Sequence, residues 1–321
     1  MFRLFDDANF EILTRWRFAA TAAVLFMLPG LVLLLFRGLN TSIEFTGGTL
    51  IQLTAEAGIE TADIRNALDQ TELGGAEIQT FGAPNEFVVR ARLDPDAEVT
   101  EETTQRVGVV LDSALTAAFG AESFELQRTR AVGPKVGGEL RARVQQALLL
   151  AFGAIFLVIW FRYEWRFSLA AVAATIHDIL TTIAFISLIN LEVSLVVVAG
   201  LLTIIGYSLN DTIVTFDRVR ENLKKFKRKS IYDILNRSIN ETLPRTVLTS
   251  GTTLVATLAL AFLAGSVIRG FAVVMTFGVL TGTFSSIFIA SPILLAIERR
   301  WPGEDVRGAK TISQGGATVV T

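Results

Sequence analysis

Six stretches of this chain are apolar and long enough to cross a lipid bilayer, and they constrain its fold more than any other feature. A spanning helix needs about 17 to 25 predominantly apolar residues. The stretches lie at residues 18–36, 144–161, 167–189, 193–216, 246–268 and 271–296. The composition agrees, because 51% of the residues are hydrophobic and only 19% are charged. The sequence therefore predicts a polytopic α-helical membrane protein with six transmembrane helices.

Basic residues are concentrated in the segments that predict the orientation of these helices. Residues 217–245 hold nine Lys or Arg against four acids, and the turn 161–167 is also basic. Cytoplasmic loops carry such an excess of positive charge. We therefore expect a cytoplasmic segment at 1–17 and a cytoplasmic tail at 297–321, which is Gly- and Thr-rich towards its end and predicted to be disordered. The long loop 37–143 is expected on the outer side.

The loop 37–143 has the pattern of a small independent domain. It alternates between strand-like and helix-like segments, at 42–56 (strand), 60–73 (helix), 76–82 (strand), 86–93 (strand), 100–120 (helix) and 123–132 (strand). This order, β-α-β-β-α-β, is that of the ferredoxin-like α+β module. We expect a turn at residues 83–85 between its second and third strands.

Residues 231–243 have an amphipathic pattern. Ile231, Ile234, Leu235 and Ile239 fall on one helical face, and a basic cluster precedes them. This arrangement predicts a short helix that lies on the inner surface of the lipid bilayer.

Asp211 is the only charged side chain in the span 193–216. A carboxylate within hydrocarbon is costly unless it is neutralised or paired, so such residues are functional candidates. Positions three or four residues away share its helical face. The polar face that we expect to support it comprises Tyr207, Ser208, Asn210 and Thr215 on the same helix, together with Thr249 and Thr253 on the next.

The fifth span supplies a candidate partner for Asp211. Arg245 stands at its start, after Pro244, and is followed by six hydroxyl side chains that include Thr249, Ser250 and Thr253. Asp211 lies roughly 8 Å from the inner end of its span, so the two depths are compatible. An aspartate whose environment alternates between paired and unpaired can take up a proton on one side and release it on the other. The alternative is a helix–helix tether without ion transfer.

Two weaker signals lie in other spans. His177 and Asp178 are adjacent in the third span, where they either handle protons or form an internal polar contact. Gly278, Gly282 and Ser286 in the sixth span follow the small-residue spacing that permits close helix packing.

The composition argues against an enzyme. The chain has no cysteine and one histidine, so we expect neither thiol chemistry nor a transition-metal site nor another bound cofactor. The glycines of "FTGGT" lack the following helix and the Lys-Ser/Thr ending of a phosphate loop.

Four segments together resemble the SecF family of membrane subunits of the bacterial Sec export machinery, within the resistance-nodulation-division superfamily. They are "EFTGGTLIQL" (44–53), "AVGPKVGGEL" (131–140), "GYSLNDTIVTFDRVREN" (206–222) and "NETLPRTVLTS" (240–250). Glu44 stands where that family usually has Asp.

The resemblance implies a subunit that uses the proton motive force to promote late steps of preprotein translocation. It implies SecD as the complementary six-helix half, SecYEG as the channel, YajC as an accessory and a translocating preprotein as substrate. It also implies a place in the cytoplasmic (inner) membrane, with 37–143 in the periplasm, and Asp211 and Arg245 as this chain's part of the proton relay. The alternative is a structural scaffold for SecD and the channel that does not itself conduct protons.

Overall fold

The computed structural model describes residues 9–81, 83–91 and 100–302. The predictions for residues 1–8 and for the tail from 303 to 321 lie outside the described residues. The described chain has a helical part and a small sheet domain, which is inserted between the first two long helices.

Six helical segments are long and apolar enough to cross a membrane, at Leu13–Arg37, Lys135–Arg162, Trp165–Leu188, Leu195–Lys225, Ile231–Leu263 and Val267–Arg300. The long helices are α1 (Trp16–Arg37), α5 (Pro134–Arg162), α6 (Trp165–Leu188), α7 (Leu195–Lys225), α8 (Ile231–Leu263) and α9 (Ser266–Ser285). A π-helical turn, Ser286–Ala290, continues α9 into α10 (Ser291–Arg300). The predicted six-span membrane protein is therefore confirmed. Several helices extend beyond the predicted apolar limits.

The sheet domain contains α2 (Ile43–Thr46), β1 (Gly48–Ala55), α3 (Thr61–Leu68), β2 (Glu77–Phe81), β3 (Ala83–Ala91), α4 (Glu101–Phe119) and β4 (Phe124–Val132). Its four antiparallel strands have the order β2-β3-β1-β4. The predicted β-α-β-β-α-β order is therefore confirmed, but residues 43–46 of the predicted strand 42–56 form α2, and the strand begins only at Gly48. The expected turn at 83–85 is wrong, because these residues already belong to β3.

One face of the sheet forms the domain's core. Ile51 and Leu53 alternate on β1, and Phe87 and Val89 alternate on β3, so all four point to the same side. They pack with buried leucine and isoleucine side chains of α3 and α4, namely Ile64, Leu68, Leu111 and Leu115. The opposite face of the sheet carries Leu50, Gln52 and Val88, and α2 and the first turns of α7 and α9 lie on that side.

Two glycines connect α2 to β1. Gly47 has φ +76° and Gly48 has φ +130°, a backbone region that other residues rarely adopt. A Cβ atom on Gly48 would also collide with the carbonyl oxygen of Ala91 on β3. The pair therefore turns the chain into the sheet, where no helix follows to make a phosphate loop.

The prediction of a separate helix on the membrane surface at 231–243 is wrong. Residues Ile231–Leu263 form one continuous helix that passes through Pro244. Ile234, Leu235 and Ile239 are at most 1% exposed, and they pack in the core of the helical part. The amphipathic pattern thus reflects burial against protein rather than against lipid. Of the basic segment 217–245, only residues 226–230 lie outside α7 and α8.

The sheet domain is bound to the loop between α6 and α7. The backbone N–H of Ser42 donates to the carbonyl of Val193 at 3.0 Å, and that of Val193 donates to the carbonyl of Asn40 at 2.7 Å. The carboxylate of Glu44 accepts a hydrogen bond from the backbone N–H of Leu195 at 2.6 Å, at the first residue of α7. The domain therefore contacts the α6–α7 loop through backbone hydrogen bonds, and it contacts α7 through a carboxylate at the helix N-terminus, where negative charge is favourable.

An ion pair adds to this junction. Arg90 on β3 is only 5% exposed, and its guanidinium contacts the carboxylate of Glu192 in the α6–α7 loop. Burial raises the pKa of Glu192 above its ordinary value of 4.5, although the Arg90 charge opposes the rise. Arg90 also lies 3.5 Å from the carboxylate of Glu77 on β2.

Candidate functional site

Helix α7 places Asp211 inside the helical part of the molecule. Asp211 is 3% exposed, and buried residues flank it at positions that share its face. It lies sixteen residues after Leu195, which corresponds to about 24 Å along the helix axis. One helix therefore carries the buried carboxylate and, at its other end, the contact with the sheet domain.

The hydroxyl of Ser250 on α8 donates a hydrogen bond to Oδ2 of Asp211 at 3.1 Å. The hydroxyl of Tyr207 lies 3.3 Å from the Ser250 oxygen, and that of Thr283 on α9 lies 2.7 Å from it. A serine hydroxyl has one hydrogen and two lone pairs, so Ser250 can satisfy all three contacts together. Asp211 is thereby connected to α8 and α9 through a single hydroxyl group.

Arg245 does not pair with Asp211 in this structure. Its side chain is exposed, and the ion pairs with N···O distances up to 4.0 Å among the described residues do not include it. Its charge still acts favourably on the Asp211 carboxylate through space. The side chain of Asn210 is exposed. The structure thus holds Asp211 in an environment of hydroxyl groups with the arginine at a distance.

The other predicted members of the polar face have different partners. Ser208 donates to Asp178 and not to Asp211. The hydroxyl of Thr215 is 3.4 Å from that of Thr242 on α8. Thr249 and Thr253 donate to carbonyl groups of the preceding turn of their own helix, at 2.9 Å each. Such bonds satisfy a hydroxyl locally, so these two threonines do not reach the carboxylate.

Asp178 is the centre of a second buried polar cluster. It is 0% exposed, and its Oδ2 atom accepts hydrogen bonds from Ser208 on α7 and from Ser285 on α9, the latter at 2.7 Å. Nδ1 of His177 lies 3.1 Å from Oδ1. The Asp178 carboxyl group therefore joins α6, α7 and α9. His177 and Asp178 form an internal polar contact, one of the two alternatives for this pair, and proton handling by them stays a prediction.

The sequence analysis did not predict the hydrogen bonds made by three hydroxyl side chains at the end of α9 and the start of the π-helical turn. Thr283, Ser285 and Ser286 bind Ser250, Asp178 and Thr212 respectively. The small-residue spacing of Gly278 and Gly282 was the signal that could have found them. A Cβ atom on Gly282 would lie 3.0 Å from the Cβ atom of Ser208, so this glycine allows α9 to approach α7 closely enough for the serines to meet Asp178.

The two carboxyl groups differ in what they can do chemically. Asp178 has three hydrogen-bonding side chains around it on three elements of the fold. Asp211 is held by Ser250, and the exposed Arg245 acts on it through space. A carboxylate offers about four lone-pair positions, so Asp211 retains capacity for a proton or another small cation. The arrangement suits reversible ion binding at Asp211 and rigid cross-linking at Asp178.

Two family models match the chain. The model for the C-terminal region of the protein export membrane proteins SecD and SecF matches residues 112–300. The model for the SecD/SecF GG motif matches residues 32–59, which contain the two glycines before β1.

Similar proteins and structures cover nearly the whole chain. It is 50% identical to the protein translocase subunit SecF of Gemmatimonas aurantiaca, over 100% of this chain and 97% of that protein. It is 41% identical to the protein translocase subunit SecF of Vibrio alginolyticus, over 88% of each. The crystal structure of SecDF from Thermus thermophilus is 36% identical and superposes with a TM-score of 0.82, covering 92% of this chain and 40% of that one. A SecDF structure in a super-membrane-facing form gives a TM-score of 0.67, covering 98% and 41%.

Proposed function

This chain belongs to the SecF family of multi-pass bacterial membrane proteins that act in protein export, and we propose that it uses the proton motive force to promote late steps of preprotein translocation. Asp211 is the residue that takes up and releases the proton, and Arg245 is the cation that balances its charge in the alternate state. The proposed cycle makes and breaks no covalent bond in the substrate, so the chain acts as a transport subunit and not as an enzyme.

One observation carries this proposal: α7 holds Asp211 and begins with a residue that is hydrogen-bonded to the sheet domain. The Leu195 N–H binds Glu44, and the adjoining loop is paired with the chain that enters the domain. Helices move as rigid elements, so a tilt or shift of α7 on protonation of Asp211 is transmitted to the sheet domain. An ion-binding event in the membrane thereby moves a domain outside it.

The available energy is sufficient for such a movement. A proton that crosses the membrane yields about 2.3 kcal/mol for each 100 mV of potential. Two conformations that differ by a few kcal/mol are redistributed strongly by an energy of this size.

The helical part presents surfaces for a second six-helix half. In the α5 span, only 6% of the most apolar stretch is buried within this chain. The corresponding shares are 11% for the α1 span and 17% for the α8 span. The spans of α6, α7 and α9 are 50% to 56% buried. The exposed helices α1, α5 and α8 therefore suit contact with lipid and with the complementary SecD half. SecYEG and YajC are further partners in this proposal. In this arrangement the sheet domain faces the periplasm and the basic ends of α7 and α8 face the cytoplasm.

The second candidate function is that of a scaffold. Its supporting observation is the Asp178 cluster, in which a fully buried carboxyl group cross-links three helices. If the Asp211 cluster serves the same purpose, the chain stabilises its partners and conducts nothing.

Replacement of Asp211 by Asn separates the two functions. Asn keeps the shape and can accept the Ser250 hydrogen bond, but it cannot titrate. We expect Asp211→Asn to abolish the dependence of late translocation on the membrane potential in inverted vesicles, while the subunits still co-purify. Asp217→Asn, at an exposed position of the same helix, is the matched control and should retain that dependence. Potential-driven export in Asp211→Asn vesicles at the normal rate would refute the proposed function.

A further inference from the structure

A cavity of about 730 Å³ lies between the open face of the sheet and the ends of the long helices. Its upper wall is formed by residues of α2 and of all four strands, β1 to β4. The α6–α7 loop and the first turns of α7 and α9 form its lower wall. Its volume is within the range of about 300 to 1,000 Å³ that is usual for small-molecule sites.

Two arginines project into this cavity from β4. Arg128 is paired across the sheet with Gln52 on β1, and Arg130 with Leu50. The residues that alternate with these on β1, Ile51 and Leu53, belong to the core face, so both arginines stand on the open face. They lie two residues apart on one strand, which separates their Cα atoms by roughly 7 Å.

A third arginine stands on the opposite wall. Arg269 lies in the first turn of α9 and also lines the cavity. All three side chains are exposed, and none of them takes part in the ion pairs formed within the described ranges 9–81, 83–91 and 100–302. Three like charges around one cavity repel one another, and a bound anion would remove that cost.

The carboxylates of the cavity are already engaged. Glu44 accepts a hydrogen bond from the N–H of Leu195, and Glu192 pairs with the buried Arg90. The hydrogen bond leaves the negative charge of Glu44 in place, so this one carboxylate without a cationic partner stands against the three arginines. The cavity consequently has an unbalanced positive charge.

The wall nearest the spans is apolar. Val196 and Val197 come from the start of α7, and Val267 and Val273 come from the start of α9. The ends of spanning helices lie at the level of the lipid headgroups. The cavity therefore places positive charge beside an apolar wall at the depth where phosphate and acyl chains meet.

We propose that this cavity binds one anionic phospholipid. Its phosphate lies against Arg128, Arg130 and Arg269, and the first carbons of its acyl chains lie against the valines. An acidic polypeptide segment would satisfy the arginines as well, but it would leave the valine wall at membrane depth without a matching group. The phospholipid satisfies both walls.

Native mass spectrometry of the full chain, released from nanodiscs, tests the assignment. The nanodiscs contain equal amounts of phosphatidylglycerol and phosphatidylcholine with identical acyl chains. We expect the wild-type chain to retain one phosphatidylglycerol in preference to phosphatidylcholine. The double variant Arg128→Gln/Arg130→Gln should reduce that retention at least fivefold. The control Arg65→Gln/Arg106→Gln removes the same charge from α3 and α4 on the far side of the sheet. This control should leave phosphatidylglycerol retention unchanged.

Arg269→Gln provides an independent arm, because it alters the helical wall and leaves the sheet domain unchanged. It should also lower phosphatidylglycerol retention and leave phosphatidylcholine retention as it was. Equal retention of phosphatidylglycerol by the wild type and by both cavity variants would overturn the proposal. The proposal would also be overturned if an acidic unfolded peptide bound through the same arginines and phosphatidylglycerol did not compete with it.

Discussion

The hydroxyl of Ser250 lies 3.1 Å from Oδ2 of Asp211, so the buried carboxyl group of α7 is held by a neutral donor from α8. The guanidinium of Arg245, one and a half turns earlier on α8, is exposed. A hydroxyl can donate to a carboxyl group in either protonation state, whereas an arginine favours the ionised state. The exchange of one partner for the other is therefore a physical route by which movement of α8 changes proton affinity at Asp211.

Removal of the Ser250 hydroxyl should weaken the site without eliminating its carboxylate. We expect Ser250→Ala to lower potential-dependent export several-fold and to cost about 1 kcal/mol of stability, because Asp211, Tyr207 and Thr283 each lose a partner. Ser250→Thr keeps the hydroxyl and should retain most activity. Thr252→Ala is the control, since Thr252 is exposed and bonds only to its own helix in the part of the chain that the structure describes. Export assays in vesicles and thermal unfolding in detergent give the two readouts.

Asp178 should tolerate loss of charge but not loss of its acceptor. In Asp178→Asn the amide oxygen can accept from Ser208 and Ser285 while the NH₂ group faces His177. We expect this variant to fold and export normally. Asp178→Leu leaves both serine donors buried without an acceptor, and should cost about 2 to 5 kcal/mol, measured as a lower unfolding temperature. A stable Asp178→Asn variant that exports as poorly as Asp211→Asn would instead assign proton transfer to Asp178.

The architecture was predictable because it depends on patterns that the chain repeats. Apolar length defines the six spans, and alternation with turn residues defines the sheet domain. The error at residues 231–243 has a physical cause. The surface-helix prediction for 231–243 used an apolar face whose partner cannot be read from local sequence, and that face packs against protein. The same pattern is produced by a lipid surface and by a protein core.

The sequence predicts the central carboxylate of the candidate site but not the residues that form hydrogen bonds with it. A lone carboxylate in an apolar span identifies Asp211 directly. The hydrogen bonds that reach it depend on how the helices are rotated. The six hydroxyl side chains between residues 246 and 257 of α8 give no means to select Ser250 over Thr249 or Thr253. Contributions from Thr283 and Ser285 required the close packing of α7 on α9. The proton-relay role of Asp211 and Arg245, and the orientation of the termini, remain predictions.

Close packing at Gly282 should be necessary for the Asp178 cluster. A Cβ atom there would lie 3.0 Å from Cβ and 3.2 Å from Cα of Ser208, so α7 and α9 must separate. We expect Gly282→Ala to destabilise the protein by about 1 to 3 kcal/mol. Gly251→Ala, in α8, meets no atom within 4 Å among the described residues and should be neutral or stabilising by up to about 1 kcal/mol through helix propensity. Unfolding temperatures that fall equally in both variants would contradict the packing argument.

Burial of the Glu192 carboxyl group beside Arg90 should make the junction sensitive to pH. Burial raises the pKa of Glu192 above 4.5, so docking of the sheet domain favours the protonated carboxyl group. The contribution is fully present below the ordinary pKa and is lost as pH rises through the docked-state value. Hydrogen exchange of residues 40–44 and 189–195 should therefore be slowest at low pH, after correction for intrinsic rates.

Glu192→Gln should remove the pH dependence and keep the segments protected. Arg90→Gln should keep the raised pKa and strengthen the dependence, since Arg90 opposes the rise. Unchanged pH dependence in Glu192→Gln would assign the effect to another group.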